Sequence, residues 1–168
     1  MGLFGAIEIS ASGLTAQRLR MDLTANNIAN INTTRTGELT PAGNQIPYSR
    51  QVAVFVPRPP ETPFSKVLGE TMGLGKVGNG YGNGNGVQVA SVYNDVTEPF
   101  RLEYNPASPD AATVVEEGLP VGYVRQPNVN IVTEMVDMMT ASRAYEANVT
   151  ALNVSKSMAT KALEIGKG

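Results

Sequence analysis

Residues 131–163 read IVTEMVDMMTASRAYEANVTALNVSKSMATKAL, a stretch of 33 residues with no proline and no glycine. Ile131, Met135, Met138, Ser142, Tyr145, Val149, Leu152, Lys156, Ala159 and Leu163 follow one another at alternating spacings of four and three. That is the seam of a heptad helix. Asn128 and Asn130 are both suited to cap its start, and Glu134 and Asp137 lie in the early turns, where the helix dipole favours acids. Gly166 supplies the stop. At 1.5 Å per residue the helix is about 50 Å long.

The same spacing recurs at the other end of the chain. From Leu3 to Ile31, Ile7, Ala11, Leu14, Arg18, Met21, Ala25 and Ile28 form a second seam, about 40 Å long by the same rise. This helix is expected to end in the run Asn26-Asn27-Ile28-Ala29-Asn30-Ile31-Asn32-Thr33-Thr34. Asn is a poor helix former that tolerates the left-handed backbone and bonds nearby main chain.

Between the two helices the composition changes. The prolines cluster between Pro41 and Pro127, which excludes long helices there. Tyr48–Val56 (YSRQVAVFV) and Val87–Tyr93 (VQVASVY) alternate and read as strands, with Phe100–Tyr104 a third and Val121–Val124 a short fourth. Pro57, Pro59, Pro60 and Pro63 stop the first strand. Residues 73–86, GLGKVGNGYGNGNG, read as a flexible loop or a hairpin tip built on Asn-Gly turns.

The expected fold class is therefore α+β. Long N- and C-terminal helices pair as an antiparallel, coiled-coil-like hairpin, with a small β-rich, Gly/Pro-rich middle. The parts are 1–34 (N-terminal helix), 35–126 (middle) and 127–168 (C-terminal helix). Both seams carry Ala, Ser, Arg or Lys at core positions, so the pair is marginal alone. Copies packed around it would supply the missing stability and make folding and assembly one event.

Composition removes several functions. The chain has 168 residues, no Cys, no His and a formal net charge of −2. It has no thiolate nucleophile, no usual zinc ligand set and no histidine base. No basic cluster points to nucleic acid. The longest apolar run, Val52–Val56, is too short to span a bilayer, and the first residues lack the basic start of a secretory signal.

Individual motifs read blandly. Gly73-x-Gly75-x-x-Gly78 has dinucleotide-fingerprint spacing without the flanking strand and helix, so it reads as loop. Glu134 and Asp137 read as a solvated helix face and not as a catalytic pair, since no partner base is identifiable. Three Asn-x-Ser/Thr motifs occur, two of them inside the last helix, and chance explains them. No catalytic, cofactor or metal site is expected. Met135, Met138, Met139 and Met158 serve either as core filling or as an adaptable contact surface. Asn26, Asn27, Asn30 and Asn32 either end the helix or form a polar ladder that interlocks neighbouring subunits.

Ser12-Gly13-Leu14-x-Ala16-Gln17, followed by Ala25-Asn26-Asn27-Ile28-Ala29-Asn30-Ile31-Asn32-Thr33-Thr34, resembles the N-terminal signature of flagellar axial proteins: rod, hook and hook-associated subunits. Within that family the chain looks like a proximal rod subunit. Asn32-Thr33-Thr34-Arg35-Thr36, Tyr48-Ser49-Arg50-Gln51-Val52, Pro99-Phe100-Arg101-Leu102, Pro127-Asn128-Val129-Asn130-Ile131 and Ala141-Ser142-Arg143-Ala144-Tyr145-Glu146-Ala147-Asn148-Val149 carry the likeness. The middle is too short for a hook protein, while 57–86 looks long for a rod protein.

The resemblance implies a structural subunit of the basal-body rod, the shaft that crosses the periplasm. Its partners would be other copies of itself, other rod proteins and the flagellar type III export apparatus, which exports such chains without a cleaved signal. It implies no enzyme, nucleic acid or membrane span. The expected assembly interface is Ile7, Leu14, Met21, Asn26, Asn27, Ile28, Asn30, Asn32, Ile131, Met135, Met138, Tyr145, Val149, Leu152 and Leu163. Neutralising Glu134 or Asp137 is expected to leave motility near normal. Ile28→Asp or Leu152→Asp is expected to block assembly. The competing readings are another axial subunit and a coiled-coil adaptor that does not polymerise.

Overall fold

The structure is a computed structural model that describes residues 3–58, 71, 86–116 and 118–166. The glycine motif at Gly73–Gly78, most of the Gly-rich stretch and Pro59, Pro60 and Pro63 lie outside the described residues. Helix α1 spans Leu3–Ala29 and helix α2 spans Ile131–Ile165. Strands β1 (Gln51–Pro57), β2 (Val87–Asn94), β3 (Arg101–Tyr104) and β4 (Tyr123–Gln126) lie between them. The α+β reading and the order helix, strands, helix therefore hold.

α1 ends two residues before the expected limit, and by the second of the two devices expected of its asparagines. No non-glycine residue among those described has a positive φ, so the asparagines do not terminate it in the left-handed region. The end tightens through Ile31 N–H to Ile28 C=O (3.3 Å) and Thr33 N–H to Asn30 C=O (3.0 Å). These are turns of the three-residue type that finish many helices. The Asn30 amide donates back to Asn26 C=O at 2.9 Å. α2 begins at the second of its two candidate caps, since Asn130 Oδ1 accepts from Val132 N–H at 3.0 Å.

β1 starts at Gln51 and not at Tyr48, because the preceding backbone is bonded elsewhere. Tyr48 N–H donates to Thr33 C=O (3.0 Å), and Arg50 N–H donates to the Asn128 side chain (2.9 Å). β4 starts two residues later than expected. Gly122 holds φ at +83° in the turn before it, which a residue with a Cβ adopts only under strain. β1 pairs with β2, and β3 pairs with β4. The second pair is antiparallel, with Arg101 opposite Gln126 and Tyr104 opposite Tyr123. The Tyr104 and Tyr123 rings meet at 5.1 Å, within the range of favourable aromatic pairs.

The chain forms two compact units, each using parts of both helices. One consists of 1–16, 55–89 and 145–168, and the other of 17–54 and 90–144. In the first, Gly13 approaches Asn148 so closely that a Cβ would lie 3.0 Å from its Nδ2. Gly86, at φ +80°, faces Ser12, whose Oγ would sit 2.3 Å from an added Cβ. That hydroxyl accepts from Val87 N–H at 3.0 Å and donates to Ile9 C=O at 2.7 Å, so it cannot swing away freely. Gly86→Ala is therefore expected to cost about 2 kcal/mol, from the left-handed backbone and one displaced hydrogen bond. A urea titration of the full chain measures it.

The second unit buries Ala112, Leu119, Val124, Val129 and Ala141. Its largest fully buried side chains, however, are Glu134, Asn27, Pro47 and Pro127. This corrects the solvated-face reading of Glu134, which is 1% exposed. The buried faces of the helices also differ from the apolar seams. On α1, Ala11, Arg18 and Ala25 are exposed, while Ser12, Ala16, Thr24 and Asn27 are buried. On α2, Ile131 (45%) and Met135 (47%) are exposed. The buried faces instead carry polar groups that bond to other elements.

Candidate functional site: a buried polar junction

The second unit joins the end of α1, the start of β1 and the start of α2 through polar side chains. Arg50, immediately before β1, is the centre. Its Nε donates to Glu134 Oε1 at 2.6 Å, its Nη1 to Asp95 Oδ2 at 3.2 Å and its Nη2 to Asp137 Oδ2 at 3.1 Å. Arg20, on α1, donates to the other oxygen of Asp137 at 2.9 Å. Glu134 and Asp137 lie three apart on α2 and so share a face. The planar guanidinium reaches several carboxylates at once, which a lysine ammonium does less well.

Asn27 completes the junction. Its Nδ2 donates to Glu134 Oε2 and to Gln51 C=O, both at 3.0 Å. Its Oδ1 accepts from Tyr48 Oη at 2.8 Å and from Gln51 N–H at 2.9 Å. The Asn27 amide is thus fully bonded, which burial demands of it. Asn128 works in the same way. Its Oδ1 accepts from Arg50 N–H, and its Nδ2 donates to Asp95 C=O (2.7 Å) and Glu98 C=O (3.1 Å). The network continues outward from Tyr48 through Asn26 (3.1 Å). It then passes from Asn26 to Asn30 (3.0 Å) and on to Thr33 (3.1 Å).

The electrostatics follow from this geometry. Burial alone would lower the Arg50 pKa, but the bonds and charges of Glu134, Asp95 and Asp137 outweigh it and raise the net value. Burial pushes the Tyr48 phenol up, and the Glu134 charge adds to the effect. Thr97, through its side chain and its N–H, holds Asp95 below the ordinary range, assisted by Arg50.

A second anchor lies at Asp110, whose carboxyl is lowered by Thr34 and then by Arg35. Thr34 Oγ1 donates to it at 2.8 Å, and Arg35 donates through Nε (2.9 Å) and Nη2. A carboxyl with a lowered folded pKa stabilises above its unfolded value, near 3.8, and loses that contribution as pH falls through the folded value. Asp110→Asn is therefore expected to destabilise the chain at pH 7, with the difference shrinking as pH falls below 3.8 and through the lowered folded value. Paired urea titrations from pH 7 to pH 2.5 check it.

Of the expected interface residues, Asn27 is buried and spends its bonds within the chain. Asn26 and Asn32 are exposed, and Asn30 is half-buried. Ile7, Leu14, Met21, Ile28, Met138, Tyr145, Val149 and Leu152 are half-buried, whereas Ile131, Met135 and Leu163 stand exposed. Arg50, Asn128, Asp95 and Arg20 were not singled out as site residues. The usable signal was Arg50, a charge at the head of a β-branched strand, with the paired acids at 134 and 137 to receive it. No helix among the described residues is long and apolar enough to cross a membrane.

Sequence comparison matches the chain to known proteins. The family described as "Flagella basal body rod protein" matches residues 7–35. The family described as "Flagellar basal body rod FlgEFG protein C-terminal" matches residues 121–165. Together they cover the parts of α1 and α2 that the junction joins. The chain belongs to the flagellar basal-body rod protein family and is a structural subunit of that rod.

The similar relatives are each called flagellar basal-body rod protein FlgC. The relative from Borreliella burgdorferi is 48% identical over 171 residues, covering all of both chains. The relative from Bacillus subtilis is 42% identical over 168 residues, covering 99% of this chain and all of its own. That from Salmonella typhimurium is 36% identical over 167 residues, with the same coverage.

Proposed function

We propose that the chain is a proximal-rod subunit that polymerises with copies of itself and with other rod proteins. One observation carries this reading. α2 leaves an apolar row outside in two stretches, Val132 (66%), Val136 (54%) and Met139 (55%), then Val154 (53%), Met158 (61%) and Ile165 (82%), with Arg143 and Thr150 between them. Such a row of large side chains marks an interaction surface. The four methionines then divide, with Met139 and Met158 in the row and Met138 half-buried.

In this reading α1 and α2 pair as an antiparallel hairpin. Asn27–Glu134 and Arg20–Asp137 support that pairing in one unit, and Gly13 against Asn148 supports it in the other. Parts 1–34 and 127–168 then form the helical core, and 35–126 the outer β-rich part. Neighbouring hairpins complete a tube that transmits torque and encloses the export channel. A contact between unlike faces that does not close on itself builds such an array. Exposed Ile131, Met135, Leu163, Asn26 and Asn32 belong to the subunit interface with the half-buried positions beside them. Export by the flagellar type III apparatus, without a cleaved signal, would place the subunit in the periplasmic part of the rod.

The chain has no native Cys, so a single cysteine at Val136 or Val154 gives a clean reporter. Cross-linking in purified basal bodies is expected to join it to rod subunits. Products formed only with hook proteins, or none at all, would contradict the proposal.

A further inference from the structure

α2 buries the wrong face by the measure of its apolar spacing. The apolar stripe runs through Ile131, Met135 and Ser142, while the buried stripe runs through Glu134 and Ala141. At 100° per residue, Glu134 and Ala141 lie one residue round from Met135 and Ser142, so the two stripes have centres about 90° apart. Turning the start of α2 by that amount would bury Ile131 and Met135 and bring Glu134 to the surface. Apolar transfer favours that turn, and desolvation of the Glu134 carboxylate favours it too. The helix does not make it.

We infer that Asn27, Arg50 and Glu134 form a rotational pin, which holds α2 turned against its own apolar preference. The geometry suits the role. Each Glu134 oxygen is gripped from a different element, Oε1 by Arg50 before β1 and Oε2 by Asn27 on α1. Two such bonds fix rotation about the α2 axis, where one would leave a swivel. The Asn27 amide is itself clamped by Tyr48 and Gln51, so the grip does not yield. Buried polar groups are best attested as devices that fix register, not as sources of net stability. The pin keeps Ile131 and Met135 out of the chain's own core. Its use in reserving those side chains for neighbours rests on the proposed assembly.

The test is peroxide footprinting of the isolated full chain, read by mass spectrometry at Met135, Met138 and Met139. Thioether oxidation follows exposure, so in the native chain Met135 oxidises faster than half-buried Met138. In the double variant Arg50→Leu/Glu134→Ala, with helix content followed by circular dichroism, Met135 is expected to slow about fivefold while Met139 stays fast. An unchanged ratio of Met135 to Met138 would overturn the inference. A joint rise at all three methionines with loss of helix would also overturn it, since the network would then be supplying stability and not rotation. The measurement needs no assembly, so its failure leaves the rod reading standing, and failure of cross-linking in basal bodies leaves the pin standing.

Discussion

Glu134→Ala is expected to destabilise the chain by about 3 kcal/mol and to abolish motility. The value lies at the lower end of the 3–5 kcal/mol seen when one partner of a buried ion pair is removed. Arg50 keeps 22% side-chain exposure, and water there softens the loss. Asn27 Nδ2 loses its Glu134 bond but keeps Gln51 C=O at 3.0 Å, so it is not wholly stranded. Against a total stability of 5–15 kcal/mol for an ordinary domain, the loss is large. Chemical denaturation of the purified chain and a swim assay of cells carrying the variant measure the two effects. Near-normal values in both, as expected from a solvated face, would mean that Glu134 is not the buried partner of Arg50. Asp137→Asn is expected to cost less. Asp137 is 27% exposed and loses two charge-assisted bonds without stranding a buried charge.

Val136→Asp combined with Met158→Asp is expected to do the opposite: leave stability alone and abolish motility. Both positions are more than half exposed on α2, so the monomer should change by no more than about 0.5 kcal/mol. If a neighbour covers the row, each carboxylate is buried without a partner, which costs several kcal/mol per subunit interface. Across many repeated contacts that is enough to stop assembly. Basal bodies isolated from the variant strain should lack the rod, while the purified chain should melt like the parent. Normal motility would remove the outer row from the interface. The pair of variants separates folding from assembly, since Glu134 affects both and the outer row affects assembly alone.

The layout of the fold was legible because it is written in spacing and breakers. Proline-free runs with heptad spacing marked both helices, and β-branched alternation marked β1 and β2 to within three residues. Chemistry narrowed the α2 cap to Asn128 or Asn130, and the structure selects Asn130. Rotation of the helices was not. Apolar spacing puts Ile131 and Met135 inside, and only knowledge of where Arg50 and Asn27 lie in space reverses that. A charge at position 50 and an acid at position 134 are 84 residues apart, and no local pattern couples them. Asn27 was illegible for a related reason. The asparagines of α1 suggested helix termination, by the left-handed backbone or by bonds to nearby main chain, or a ladder between subunits. Asn30 does tighten the turn by bonding back to Asn26, but that Asn27 holds α1 to β1 and α2 has no local signal.

The account stands or falls on what covers the outer row of α2 in the assembled rod. A density map of the rod at side-chain resolution measures this directly. The account predicts a neighbouring subunit's helix packed over Val136, Met139, Val154 and Met158, with Glu134 still bound to Arg50 and Asn27 inside its own chain. Those four side chains facing water in the assembled rod would contradict it.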